Sequence, residues 1–138
     1  MILLTNPVVF AALVITCFGQ ERFSSGEFKG FVKSGTEHII VRVEKPFVVR
    51  TLTGTIVSKH DSRPLANVTF EVRGPDNQET IKAANTDHQG HFRIKRLLLG
   101  RYVFKATLDG FQSVVGIIVV SKTADQTSSI RIELPLGV

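Results

Sequence analysis

From Glu37 onward, apolar and polar side chains alternate in short runs separated by Gly, Pro, Asn and Asp. That is the two-residue period of half-buried strands, not the 3.6-residue period of helices. His38 to Val43 and Phe47 to Val57 come first, with Pro46 between them. Val68, Phe70 and Val72 alternate with Thr69, Glu71 and Arg73, and Gly74-Pro75-Asp76-Asn77 ends the run. Glu79 to Ala84 carries Ile81 and Ala83 on one face. Phe92 and Ile94 alternate with His91, Arg93 and Lys95, and Tyr102, Phe104 and Ala106 with Arg101, Val103 and Lys105. Val114 to Val120 is apolar on both faces, which predicts a central or doubly covered strand. Ile130, Ile132 and Leu134 close the pattern against Arg131 and Glu133. No longer window carries a helical stripe with caps, so helix content should be small. Seven or eight strands at roughly ten-residue spacing predict an all-β antiparallel sandwich.

The first part of the chain reads differently. Residues 1–20 contain no charged side chain, and Val8 to Phe18 is apolar apart from Thr16. Such a run suits the core of a signal peptide, about 7–15 residues, and falls short of the roughly 17–25 that span a bilayer. Polar Gly19-Gln20-Glu21-Arg22 follows, where cleavage is expected, although no Lys or Arg precedes the apolar run. Cys17 follows Val14-Ile15-Thr16, which only partly matches a lipid-attachment motif. Residues 1–20 are therefore expected to be a signal peptide or membrane-targeting segment. Residues 21–50 are expected to be a linker or arm with one or two extra strands, and 51–138 the sandwich. Phe23, Phe28 and Phe31 share no period, so that stretch reads as a flexible leader rather than an aromatic arm docked on its own domain.

The punctuation is more specific than a generic sandwich. Leu52-Thr53-Gly54-Thr55-Ile56-Val57 is followed by Arg63-Pro64-Leu65-Ala66-Asn67-Val68. Then come Asn85-Thr86-Asp87-His88-Gln89-Gly90-His91-Phe92, Leu97-Leu98-Leu99-Gly100-Arg101-Tyr102 and Leu108-Asp109-Gly110-Phe111. In this order they resemble the carboxypeptidase regulatory-like domain, a transthyretin-related, seven-stranded antiparallel Greek-key β-sandwich. Thr86 and Asp87 can fold oxygens back onto the turn, and Gly90 supplies a positive φ. Tyr102 is aimed inward, where its hydroxyl needs a partner. The departures are Leu98-Leu99, where the family pattern has two prolines, and Phe111 in place of Tyr. The resemblance implies an accessory module beside peptidases, outer-membrane receptors or surface repeats, and not an activity.

Composition changes this picture little. The chain of 138 residues is 43% hydrophobic and 21% charged, an ordinary folded composition for one domain. A single Cys excludes an internal disulfide framework and a Cys-rich zinc site. The four histidines, His38, His60, His88 and His91, begin no zinc-protease pattern, and His88 and His91 read as solvated hairpin residues. The chain ends Leu134-Pro135-Leu136-Gly137-Val138, without the Tyr-Arg-Gly-Ser tail of transthyretin-like hydrolases. No catalytic residue, metal site or cofactor is therefore expected.

Seventeen Lys and Arg against twelve Asp and Glu leave a net charge of +5. Arg93, Lys95, Arg101 and Lys105 fall on the outward side of the alternation, with Arg96 off it, and form a candidate basic face. Such a face could meet an envelope protein or an acidic polysaccharide. No stacking aromatics are interleaved with it, so nucleic acid is not expected. Membrane contact is expected only through the N-terminal segment. The reading is an exported, non-catalytic module, secreted or periplasmic, that binds or scaffolds at the bacterial cell envelope. Its rivals are a carbohydrate-binding module, which needs Phe23, Phe28 or Phe31 exposed on a flat face, and a small metal-dependent or transthyretin-like hydrolase.

Overall fold

The computed structural model describes residues 28–37, 39–74, 81–125 and 129–137. The apolar N-terminal run, Phe23, His38 and the turn at Pro75-Asp76-Asn77 lie outside the described residues. Among the described residues nine strands form: β1 (Ile40–Arg42), β2 (Phe47–Val49), β3 (Leu52–Ser58), β4 (Thr69–Arg73), β5 (Lys82–Asn85), β6 (His91–Ile94), β7 (Gly100–Thr107), β8 (Ser113–Val120) and β9 (Ile130–Leu134). No helix occurs among the described residues.

The strands make two sheets. The larger runs β1-β8-β7-β4-β5, with β2 also beside β8, and the smaller runs β6-β3-β9. The alternating residues fill the space between them as the two-residue period requires. Val49, Phe70, Val72, Phe104, Ala106, Val114, Ile118 and Val120 from the large sheet meet Leu52, Ile56, Phe92, Ile94, Ile130, Ile132 and Leu134 from the small one. Phe70 is the keystone, with ring centroids 4.1 Å from Phe92 across the sheets and 5.3 Å from Phe104 beside it. Gly54 keeps this closure tight, because a Cβ there would come within 2.7 Å of Ile130 and the Phe92 ring.

Three expectations need correction. The sheets are mixed rather than antiparallel: β1 and β2 run parallel to β8, and β9 runs parallel to β3. Side-chain alternation encodes which face a residue takes and is silent on strand direction. Phe47 to Val57 is two strands, because a bend at Arg50-Thr51 carries the chain from the large sheet to the small one. On β5 the inward residue is Ala84, which pairs with Phe70, while Ala83 opposes Glu71 on the outer face.

The turn chemistry follows the sequence more closely. Asp87 Oδ1 accepts from the N–H groups of Gln89 and His91, both at 2.9 Å. Gly90 has φ +78°, and a Cβ there would meet the Ile56 carbonyl oxygen at 2.6 Å. Thr86 reaches further than its own turn. Its hydroxyl accepts from Val68 N–H at 2.9 Å and donates to the Leu65 carbonyl, tying the β5–β6 turn to the loop before β4.

Candidate functional site

The four candidate cations separate once the strands are placed. Arg93 and Lys95 are exposed, on and just after β6 of the small sheet. Arg101 is half-buried on β7 of the large sheet. β6 pairs only with β3, and β7 with β4 and β8, so these cations do not share one strand-paired face. Lys105 is not on a solvent face at all: it is 1% exposed.

What buries Lys105 is the segment before the first strand. Residues 28–37 lie across the outer face of β4, β7 and β8, and each tie has a chemical reason. Phe31 is buried with its ring against Phe28, at 5.8 Å between centroids, and the Arg73 guanidinium sits 5.0 Å from its centre. Arg73 also donates to the Lys29 carbonyl. The Val32 N–H donates to Glu71 Oε1 at 3.0 Å. At the far end Glu37 accepts from Ser113 Oγ and pairs with Lys105 Nζ at 2.7 Å. Thr36 Oγ1 accepts from Gly110 N–H and donates to the Phe111 carbonyl.

Taking these charges from water is costly, and the costs are offset only because each finds a partner. Glu71 shows the balance. Burial pushes its carboxyl above the usual glutamate range, while the Val32 N–H and the Lys105 charge, directly opposite on β7, pull the other way. The described part of the Phe23-Phe31 stretch is therefore a docked strap. Phe28 is half-buried and Phe31 buried, so neither offers the flat aromatic platform that a sugar site needs.

The remaining exposed cations gather elsewhere, with residues from distant parts of the chain. Arg50 from the β2–β3 bend joins Arg93, Lys95 and Arg96 around a cleft of about 310 Å³, whose walls include Leu52, Ile94, Leu97 and Val120. Sequence spacing could not place Arg50 here, because the bend that delivers it was hidden inside an apparently continuous strand. Arg96 has φ +62°, a left-handed conformation that a non-glycine residue adopts at a cost of about 1–3 kcal/mol. Its carbonyl accepts from Lys82 Nζ at 3.0 Å, which helps hold it there. Alternation leaves Arg96 off the outward face; this local twist turns it to the cleft.

The loop that follows carries Leu97 inward against the core, while Leu98 and Leu99 stand 81% and 56% exposed. Tyr102 is anchored beneath them: its hydroxyl donates to the Leu98 carbonyl at 2.6 Å. Burial raises the Tyr102 hydroxyl above its usual range, against the opposing pull of that bond.

The histidine pair sits at the other end of the sandwich. His88 and His91 are exposed, in the β5–β6 turn and at the start of β6. The Asp87 carboxyl is held below the usual range, first by the His91 N–H. Among the described residues, no three His, Cys, Asp or Glu side chains converge as a metal site would require.

Residues 51–135 match the carboxypeptidase regulatory-like domain. No curated protein matches the chain as a relative. Among solved structures, the crystal structure of BcpA, the major pilin subunit of Bacillus cereus, covers 62% of this chain at 20% identity with a TM-score of 0.47. A variant of the same pilin gives 20% identity, 62% coverage and a TM-score of 0.46. The match takes in 27% and 28% of those pilin chains, so this chain corresponds to about a quarter of their length.

Proposed function

The chain belongs to the family of carboxypeptidase regulatory-like domains, and we propose that it is an exported, non-catalytic β-sandwich module that binds or scaffolds at the bacterial cell envelope. The observation that supports a binding role is the basic cleft, while the perturbed acids lie apart from one another. Glu71 lies under the strap, Asp87 in an exposed turn, and Tyr102 beneath the Leu98-Leu99 loop. Each shift has a local structural cause, whereas catalytic sites draw such groups into one cleft. The surface that gathers side chains from several elements is the basic cleft of Arg50, Arg93, Lys95 and Arg96.

Envelope proteins or acidic polysaccharides are the partners this charge suits. The test is capture from detergent-solubilised bacterial envelope fractions, comparing the protein with an Arg93→Glu, Lys95→Glu variant. Retention of a defined protein or polysaccharide by the first alone supports the reading, and equal recovery by both removes it. Export is tested separately by sequencing the mature N-terminus, expected near Gln20. Intact Met1 in a soluble cytoplasmic fraction ends that part of the proposal.

A further inference from the structure

We propose that the loop from Lys95 to Leu99 is a membrane-docking tip, which seats Leu98 and Leu99 in an anionic lipid surface while Arg50, Arg93, Lys95 and Arg96 meet its headgroups.

Leu98 and Leu99 are adjacent, protrude from one loop and are the most exposed leucines at that end. The loop is not a loose excursion. Leu97 roots it in the core, Tyr102 grips the Leu98 carbonyl and Lys82 grips the Arg96 carbonyl. A rigid loop that presents two leucines to water wastes their burial unless something apolar covers them. The cations beside them choose the cover. Arg93, Lys95 and Arg96 have no carboxylate partner among the described residues, and together with Arg50 they line the adjacent cleft. An apolar tip beside cations that have no carboxylate partner among the described residues is the complement of an anionic bilayer, where the leucines reach the acyl boundary and the cations stay at headgroup level.

The course of the chain supplies a second, independent observation. The strap begins at this same end: Lys29 binds Arg73 at the end of β4, and Gly30 lies against Ile81, just before β5 and its Lys82 contact to the loop. The N-terminal sequence with its apolar Val8–Phe18 run is joined to the sandwich there. Whatever membrane contact that segment makes, Leu98 and Leu99 stand at the end nearest to its point of attachment. The inference goes beyond the envelope-partner reading and can fail or hold without it, because its test contains lipid and no protein partner.

The chain has no tryptophan, so Leu98→Trp places a single reporter at the tip. The full chain carrying it is mixed with vesicles of phosphatidylcholine alone or with about 30% phosphatidylserine. A blue-shifted emission, quenched by brominated acyl chains, is expected only with the anionic vesicles, and it should fade as salt rises. In the same background, Lys95→Glu with Arg96→Glu should weaken partitioning at least about tenfold, as should Leu99→Ser in cosedimentation of the native-tip chain. Unchanged unfolding midpoints establish that each variant is folded. His60→Trp, at the opposite end, should show no shift.

Binding without a shift at the tip would assign lipid contact to the N-terminal segment and overturn the proposal. So would an equal shift on neutral vesicles. A shift that rises with protein concentration in the absence of lipid would mean that the leucines cover a second copy instead, and would overturn it too.

Discussion

β6 and β7 carry nearly the same written pattern, apolar residues alternating with cations, yet their outward faces live in different media. On β6, Arg93 points to solvent. On β7, Lys105 occupies the equivalent phase of the alternation and is sealed beneath the strap against Glu37. The difference lies in what crosses the outer face. Nothing described covers β6, whereas Phe31 and its neighbours cover β7. Alternation decides which side of a sheet a residue takes, and a third layer decides whether that side is wet. A surface cation and a buried one cannot be told apart by period alone.

The comparison can be pressed hardest at Lys105. Lys105→Ala leaves Glu37 buried without its cation and should cost about 3–5 kcal/mol in urea unfolding. Replacing the pair together, Lys105→Met with Glu37→Leu, should recover most of that loss, because buried ion pairs are often no better than apolar fillings. A small loss from Lys105→Ala alone would show that the strap leaves water at the pair. Phe31→Ala tests the cover itself. It should cost about 3 kcal/mol, and it should speed hydrogen exchange of the β7 amides more than those of β6.

Acidity separates the two regions by sign. Glu71, under the strap, has a carboxyl raised by burial, so the folded chain holds that proton more tightly than the unfolded chain. Its contribution to stability is gained below the ordinary glutamate range and lost as pH rises through its raised value. Asp87, in the open turn beside β6, is held low by the His91 N–H, so its contribution is present above the ordinary aspartate range and lost as pH falls through its lowered value. Stability measured against pH should therefore lose one slope in Glu71→Gln and the opposite slope in Asp87→Asn. The smallest effect belongs to β6: Arg93→Ala and Lys95→Ala should each stay within about 0.5 kcal/mol of the parent in the same unfolding assay.

The inward side chains of β4, β6, β7 and β9 were legible because each sits on a clean two-residue alternation. So was the hairpin at Asp87 and Gly90, whose residue types are dictated by backbone geometry. The strap was not, because Phe28 and Phe31 follow no period: they pack as a layer rather than as an element. One signal did point to it. Val115 and Ile117 lie on the outer face of β8, where two apolar side chains require a cover, and both are buried. A run that is apolar on both faces marks β8 as doubly covered, and the same cover extends over neighbouring Lys105 and Glu71. The basic cleft was half legible. Arg93 and Lys95 came from alternation, but Arg96 needed a left-handed backbone and Arg50 a bend, and neither leaves a periodic trace.

The parallel seam between β3 and β9 also sets a clock. Gly54 and Ile130 are register partners, so the small sheet cannot close until residues 130–134 have been made. During synthesis β3 has only β6 to pair with, and Ile56 waits for Ile132 with its flank open. Pairings that join distant residues form late, after the loop between them has been closed at entropic cost. β9 is thus expected to join late, and a growing chain stays open on that side until residue 134 arrives.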